Sequence, residues 1–252
     1  MKKTLSLIVV LICLGICSRA YSYGAALDEA VKLMLKNDYY AALDECHRLE
    51  RILSGYDKSE LLYIEGECFS LLEDYDQARE VFKQGLKNSK GELSTKIYLG
   101  IADSYFMQHG YDKAISIYKQ LLEKNNPDYE AGLLFKLGKA YQKNSKWTQS
   151  KYYFDMLKQK YPQSFELAIV EKSSVGGNFF TIQVGCFSNK ENAEKLRDNL
   201  LAKDYDVYVT PFQSNGSELY RVRVGEFVSL LAAEHQELEL KNVEHLPTHI
   251  FP

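Results

Sequence analysis

Hydrophobic and small positions between residues 25 and 165 recur in a fixed register. An aromatic residue stands at Tyr39, Tyr75, Tyr111 and Trp147, with a small one three places later at Ala42, Ala78, Ala114 and Ser150. Cys46, Phe82, Tyr118 and Phe154 follow four positions on. Ahead of the small column come Ala30, Gly66, Ala102 and Gly138, then Leu33, Phe69, Tyr105 and Tyr141. Five columns keep a period of 36 residues over four units. Within a unit the apolar positions follow i, i+3, i+4, i+7, as in Leu134, Leu137, Gly138 and Tyr141, which predicts amphipathic helices. Asn37-Asp38, Glu73-Asp74, His109-Gly110 and Ser145-Lys146 read as turns before the second helix of each unit. Pro127 and Pro162 follow the third and fourth units, where a helix is expected to stop. Each unit is thus two helices and a short turn. A large side chain at Gly66, Gly138, Ala78 or Ala114 would hold the two helices apart.

The period changes after Pro162. Residues 166–177 are expected to be a linker, with Ser173-Ser174-Val175-Gly176-Gly177-Asn178 as its flexible part. Residues 179–187 then alternate as a strand. Ser188-Asn189-Lys190-Glu191 reads as a capping box opening a helix with Ala193, Leu196 and Leu200 on one face. Strands are expected at 207–212 and 219–224 with Gly216 in the turn between them, a helix at 230–241, and a last strand at 248–251. This β-α-β-β-α-β order predicts one antiparallel sheet with both helices on one face. Period two sends Phe180, Ile182, Val184, Tyr220, Val222 and Val224 toward the helices. It sends Thr181, Gln183, Gly185, Leu219, Arg221 and Arg223 to the open face. A buried core does not explain two arginines in the middle of a sheet; an open, solvated face does.

The first residues add a location. Lys2 and Lys3 precede an apolar run from Leu5 to Cys17, and the small residues Ser18, Ala20 and Ser22 follow. That is a signal peptide over residues 1–22, cut after Ser22, with Ser18-Arg19-Ala20 as a second possible cleavage motif. Leu14-Gly15-Ile16-Cys17 offers a lipoprotein alternative at Cys17, but Ile16 is large where such signals want a small residue. Export to the periplasm or cell envelope is the expectation. Of five cysteines, Cys46, Cys68 and Cys186 remain after cleavage, an odd number that makes no disulfide framework. Cys46 and Cys68 can pair, but three small buried side chains are the expected fate. A net charge of −3 gives no basic surplus for nucleic acid or an anionic membrane.

The helical columns resemble the tetratricopeptide repeat (TPR), through Leu134, Leu137, Gly138, Tyr141, Ser150, Phe154 and Pro162, and through Tyr98, Ala102, Tyr105, Ala114 and Tyr118. The resemblance covers residues 25–165 and implies a helical solenoid whose concave face holds a protein partner. A spacer or a dimerisation module is the plainer reading. The C-terminal domain, residues 178–252, resembles the SPOR domain. Phe180-Thr181-Ile182-Gln183-Val184-Gly185-Cys186-Phe187, Asn192-Ala193 with Leu196, and Tyr220-Arg221-Val222-Arg223-Val224-Gly225-Glu226-Phe227 carry it.

The fold class is then an all-α TPR solenoid plus an α+β domain with a ferredoxin-like or RNP-like sheet. The resemblance implies binding to peptidoglycan glycan strands, preferentially those stripped of stem peptides. Gln183 and Arg221 stand at the family's strand positions, with Arg223 beside them. Leu219 stands where an aromatic can occur, Cys186 where Ser or Ala is usual, and Glu226 where proline is common. Tyr208 and Phe212 are candidate sugar-stacking platforms. Gln can donate and accept with one amide, and Arg can pair a carboxylate through two hydrogen bonds. Similar sheets bind single-stranded RNA through stacked aromatics, but residues 176–252 hold seven Lys and Arg against eleven Asp and Glu, a net −4, which argues against it.

No nucleophile elbow, P-loop or dinucleotide fingerprint occurs, and Pro247 breaks the helix that a His245/His249 metal pair would need. A non-catalytic protein without metal or cofactor is expected. It binds glycan and recruits an unidentified protein partner in division or wall remodelling. The alternative is an envelope assembly scaffold in which the SPOR-like domain is degenerate.

Overall fold

The computed structural model describes residues 27–173, 178–214 and 216–252. The expected signal peptide, its cleavage motifs, Cys17 and the Ser174–Gly177 stretch lie outside them. Among the described residues no helix is long and apolar enough to cross a membrane. The chain divides into two compact units, one ending at Leu121 and the other beginning at Leu122.

The first unit holds α1 (Asp28–Leu35), α2 (Tyr39–Glu50), α3 (Gly55–Leu71), α4 (Tyr75–Gly85), α5 (Gly91–Met107) and most of α6 (Tyr111–Leu122). These are three antiparallel hairpins. A fourth, α7 (Pro127–Lys143) with α8 (Trp147–Lys160), opens the second unit.

One turn, repeated, sets the period. Asn37, Glu73, His109 and Ser145 adopt left-handed backbone, φ 63°, 64°, 61° and 58°. The next residue's N–H then reaches back to close the preceding helix. Asp38 N donates to Leu33 O at 3.0 Å, Asp74 N to Phe69 O at 2.9 Å, Gly110 N to Tyr105 O at 2.8 Å and Lys146 N to Tyr141 O at 2.8 Å. This is a Schellman closure, which satisfies carbonyls that the helix end leaves without partners. Asp38 and Asp74 also cap the next helix, accepting from Ala41 N at 3.3 Å and Gln77 N at 3.2 Å. Pro127 does not stop a helix. It begins α7, where its fixed φ suits the first helical position and its missing N–H is no loss.

The small columns do what their size demands. A Cβ on Gly66 would lie 2.4 Å from the Phe82 ring, one on Gly100 2.5 Å from the same ring, and one on Gly138 2.3 Å from Phe154. Ala30, Ala42, Ala78, Ala102 and Ala114 are fully buried. Cys46 and Cys68 are free thiols in the core that the first hairpin shares with α3, and burial pushes both thiols up, Cys68 to about 12. Cys186 departs from the expectation of three buried cysteines: it is exposed.

The expected linker is mostly a helix. α9 (Phe165–Ser173) packs against α7 and α8, and Ser164 caps it by accepting from Leu167 N. The remaining elements are β1 (Phe180–Phe187), α10 (Lys190–Leu201), β2 (Val207–Ser214), β3 (Ser217–Phe227), α11 (Leu230–Asn242) and β4 (His249–Phe251). All neighbours in the sheet order β2-β3-β1-β4 are antiparallel, with β3 and β1 central as the topology demands. Asn189, one residue later than expected, caps α10 by accepting from Glu191 N at 2.7 Å. Ile182, Val184, Val207, Val222 and Val224 meet Ala193, Leu200 and Leu240 of the two helices in one core.

Candidate functional site

Strand pairing places residues from all four strands in rows on the sheet face turned away from α10 and α11. One row runs Tyr208, Arg223, Gln183, His249. The next runs Thr210, Arg221, Cys186, and a third pairs Phe212 with Leu219. Thr181 lies opposite Phe251 on the outer pair. Directly opposed residues share a face, so every site residue expected from sequence lies on this one.

Two irregularities set its outline. The β1–β3 register slips between Gln183 and Gly185, leaving Val184 as an extra residue on β1. Strict alternation would have put Gly185 on the open face. The slip turns it toward the helices instead, where a Cβ would lie 3.1 Å from Leu196 and 2.6 Å from Phe187. Cys186 thereby moves to the open face opposite Arg221. The second slip adds a residue to β3 near Gly225, which has φ +68°.

The face is not the solvated surface that single residues suggest. Arg223 is 4% exposed and Thr181 is fully buried, while Gln183 and Arg221 are half-buried. Aromatic rings shield the guanidiniums. Arg221 stacks 3.5 Å above the Phe212 ring, and Arg221 and Arg223 both lie 5.8 Å from the ring centre of Phe251. The Tyr208 hydroxyl donates to Thr181 Oγ1 at 3.0 Å, and Thr181 passes its own hydrogen to Val224 O at 3.3 Å. Burial, reinforced by the neighbouring charge of Arg221, pushes the Arg223 guanidinium down, against the pull of Tyr208.

Three side-chain atoms on this face are buried without a hydrogen-bond partner: Gln183 Oε1, Thr210 Oγ1 and Arg223 Nε. They belong to residues in the two adjacent central rows. An unsatisfied buried polar atom costs about 1–3 kcal/mol, and such atoms at a face flanked by aromatic rings fit a polar ligand that completes them. The donor and acceptor set suits hydroxyl and amide groups, and Arg221 suits a carboxylate. Among the described residues no group of three His, Cys, Asp or Glu side chains could hold a metal ion.

Sequence reasoning placed Thr181 on this face but missed Thr210, His249 and Phe251. Alternation could have found Thr210, which lies between Tyr208 and Phe212. Which residues of β4 turn to this face depends on its pairing with β1.

Residues 176–249 match the SPOR domain family and residues 133–164 match a tetratricopeptide repeat. No curated protein matches the chain by sequence. Among solved structures, Pseudomonas aeruginosa pilF is similar at 16% identity, over 68% of this chain and 75% of that one, with a TM-score of 0.48. YrrB, described as a TPR protein with an unusual peptide-binding site, is similar at 14% identity over 67% of this chain and 84% of its own, with a TM-score of 0.49.

Proposed function

We propose that this chain, which carries a tetratricopeptide repeat and a C-terminal SPOR domain, is a non-catalytic protein of the bacterial envelope that binds peptidoglycan glycan through the open sheet face. The observation that carries this reading is the row Tyr208, Arg223, Gln183, His249, in which Gln183 Oε1 and Arg223 Nε are buried and unpartnered. A sugar hydroxyl donates to Gln183 Oε1, and Arg223 Nε donates to an acetamido carbonyl. Arg221, seated over the Phe212 ring, pairs the lactyl carboxylate. Removal of stem peptides frees that carboxylate, so stripped strands bind better and the protein collects where wall is being split. The helical repeats recruit a protein partner that acts in cell division or wall remodelling. Export by the N-terminal leader places the chain in the periplasm.

Leu219, Cys186 and Glu226 depart from the residues usual in this family, which favours a second reading: a scaffold whose repeats carry the function. Co-sedimentation of the chain lacking its first 22 residues with sacculi separates the two. More protein in the pellet with amidase-stripped sacculi than with intact ones supports glycan binding. No pelleting with either leaves the scaffold reading.

A further inference from the structure

The fourth hairpin and the sheet domain lie in one compact unit, and Trp147, the chain's single tryptophan, joins them. It opens α8 in the aromatic column of the repeats. Tyrosines of that column serve their own hairpins. The Tyr39 hydroxyl donates to Asn37 Oδ1 at 2.8 Å, and Tyr111 stacks on His109 and meets Phe106 edge-on. Trp147 reaches the sheet instead. Its ring lies 4.8 Å from that of Phe180 at the start of β1, inclined at 53°. Its Nε1–H donates to Val228 O, one residue past the end of β3, at 3.4 Å. Phe180 has no exposed surface. Lys143, the last residue of α7, places Nζ 5.6 Å from the same ring. The left-handed turn at Ser145, closed by Lys146 N on Tyr141 O at 2.8 Å, fixes Lys143 and Trp147 relative to each other.

These contacts fall where the sheet is weakest. Phe180 pairs with Phe227, so Trp147 grips both members of the central β1–β3 pair at one end: a ring on one strand, and on the other the carbonyl next to Phe227. A register slip follows at once, between Phe180 and Ile182, and such a slip disrupts the ladder locally. The neighbouring strand on that side, β4, is three residues long and pairs with β1 at Thr181, Ile182 and Gln183. Thr181 accepts from the Tyr208 hydroxyl, and its partner across the pair, Phe251, supplies the ring 5.8 Å from both guanidiniums. A shift at the start of β1 therefore moves Thr181 and, through β4, the ring that shields Arg221 and Arg223.

We propose that Trp147 is a positioning residue for the open sheet face: it pins the end of the central strand pair and so holds Thr181, Gln183 and Phe251 in the arrangement that binds glycan. The inference rests on the glycan reading above and extends the binding unit beyond the matched residues 176–249 into the last helical hairpin. Trp147 touches no ligand in this role. It acts by preorganisation, because groups already held in place need not be ordered when the glycan arrives. A tyrosine, as in the three earlier units, offers a smaller ring and no N–H for Val228 O.

The test compares the chain lacking residues 1–22 with its Trp147→Ala and Trp147→Tyr variants, by co-sedimentation with amidase-stripped sacculi and by amide hydrogen exchange. Trp147→Ala is expected to weaken binding by roughly tenfold and Trp147→Tyr by less. Exchange should quicken in the same order at Phe180–Ile182 and His249–Phe251 while α10 keeps its protection, a pattern that a general loss of stability does not give. Binding and exchange equal to wild type in both variants overturn the role, and so does faster exchange spread evenly over the domain. Weaker binding with unchanged exchange makes Trp147 a ligand contact and also overturns it. If Trp147→Ala unfolds the hairpin, Trp147→Tyr carries the test, because the earlier repeats fold with tyrosine in this column. Wild-type chain that does not pellet overturns the glycan reading instead, and the exchange pattern still decides whether Trp147 holds the strands.

Discussion

Arg223 lies directly opposite Gln183 in the central strand pair, and each carries a buried side-chain atom without a partner. Replacing a buried, underpaired charge with an apolar side chain of similar length is often neutral or stabilising. Arg223→Met is therefore expected to leave the domain as stable as before or to raise its stability by ~1 kcal/mol, while glycan binding falls. Thermal unfolding and sacculus co-sedimentation on the same preparation check this. A large loss of stability would mean that Arg223 serves the fold and not a ligand.

Arg221 tests a different property, shape. Its guanidinium lies over the Phe212 ring, 3.5 Å from the ring centre, and a lysine keeps the charge but neither stacks as a plane nor makes two parallel hydrogen bonds. Arg221→Lys should weaken binding to stripped sacculi by about tenfold, the equivalent of one charge-assisted hydrogen bond. The melting temperature should barely change, because Arg221 is only half-buried. Titration of sacculi at fixed protein concentration measures the difference. Equal affinity in the lysine variant would reduce Arg221 to a general positive charge.

Much of this face was legible in the sequence. Alternation put Gln183, Arg221 and Arg223 together, and the four-unit columns gave each helical hairpin. What failed did so for physical reasons. Period two sends Gly185 to the open face because it cannot see the extra residue at Val184, which only the β3 partner reveals. Arg223 was expected to be solvated because its shield comes partly from Phe251 on a three-residue strand at the far end of the domain. The contact of Trp147 with Phe180 joins residues of two different folds, and in sequence Trp147 is only the fourth member of an aromatic column. The helix at Phe165–Ser173 was hidden by its position between a proline and a Ser/Gly run, which reads as linker by composition.

Phe82 is trapped between two glycines, with Gly66 on one side and Gly100 on the other. It cannot retreat from a new methyl at one without pressing on the other, and it is fully buried. Gly66→Ala should therefore destabilise the repeats by ~1–3 kcal/mol, despite gaining about 1 kcal/mol of helix propensity. Gly138→Ala should cost less, because Phe154 is only half-buried and has room to turn. Chemical denaturation of both variants gives the order. An equal or reversed order would mean that the Phe82 pocket relaxes as freely as that of Phe154.

The repeated left-handed turn residue offers the opposite change. Glu73 holds φ 64° with a Cβ that this backbone disfavours, while Asn37 at φ 63° has a side chain that tolerates it. Glycine removes the steric strain but gives the unfolded chain more freedom, so the gain is the difference between the two effects. Glu73→Gly is expected to stabilise the chain by ~0.5–1 kcal/mol and Asn37→Gly by less, or not at all. The Schellman closure at Asp74 N uses backbone atoms alone, so the substitution leaves it intact. Urea unfolding of the two variants against the wild-type chain reads the contrast. Equal effects would place the strain elsewhere in the turn than at the Cβ of Glu73.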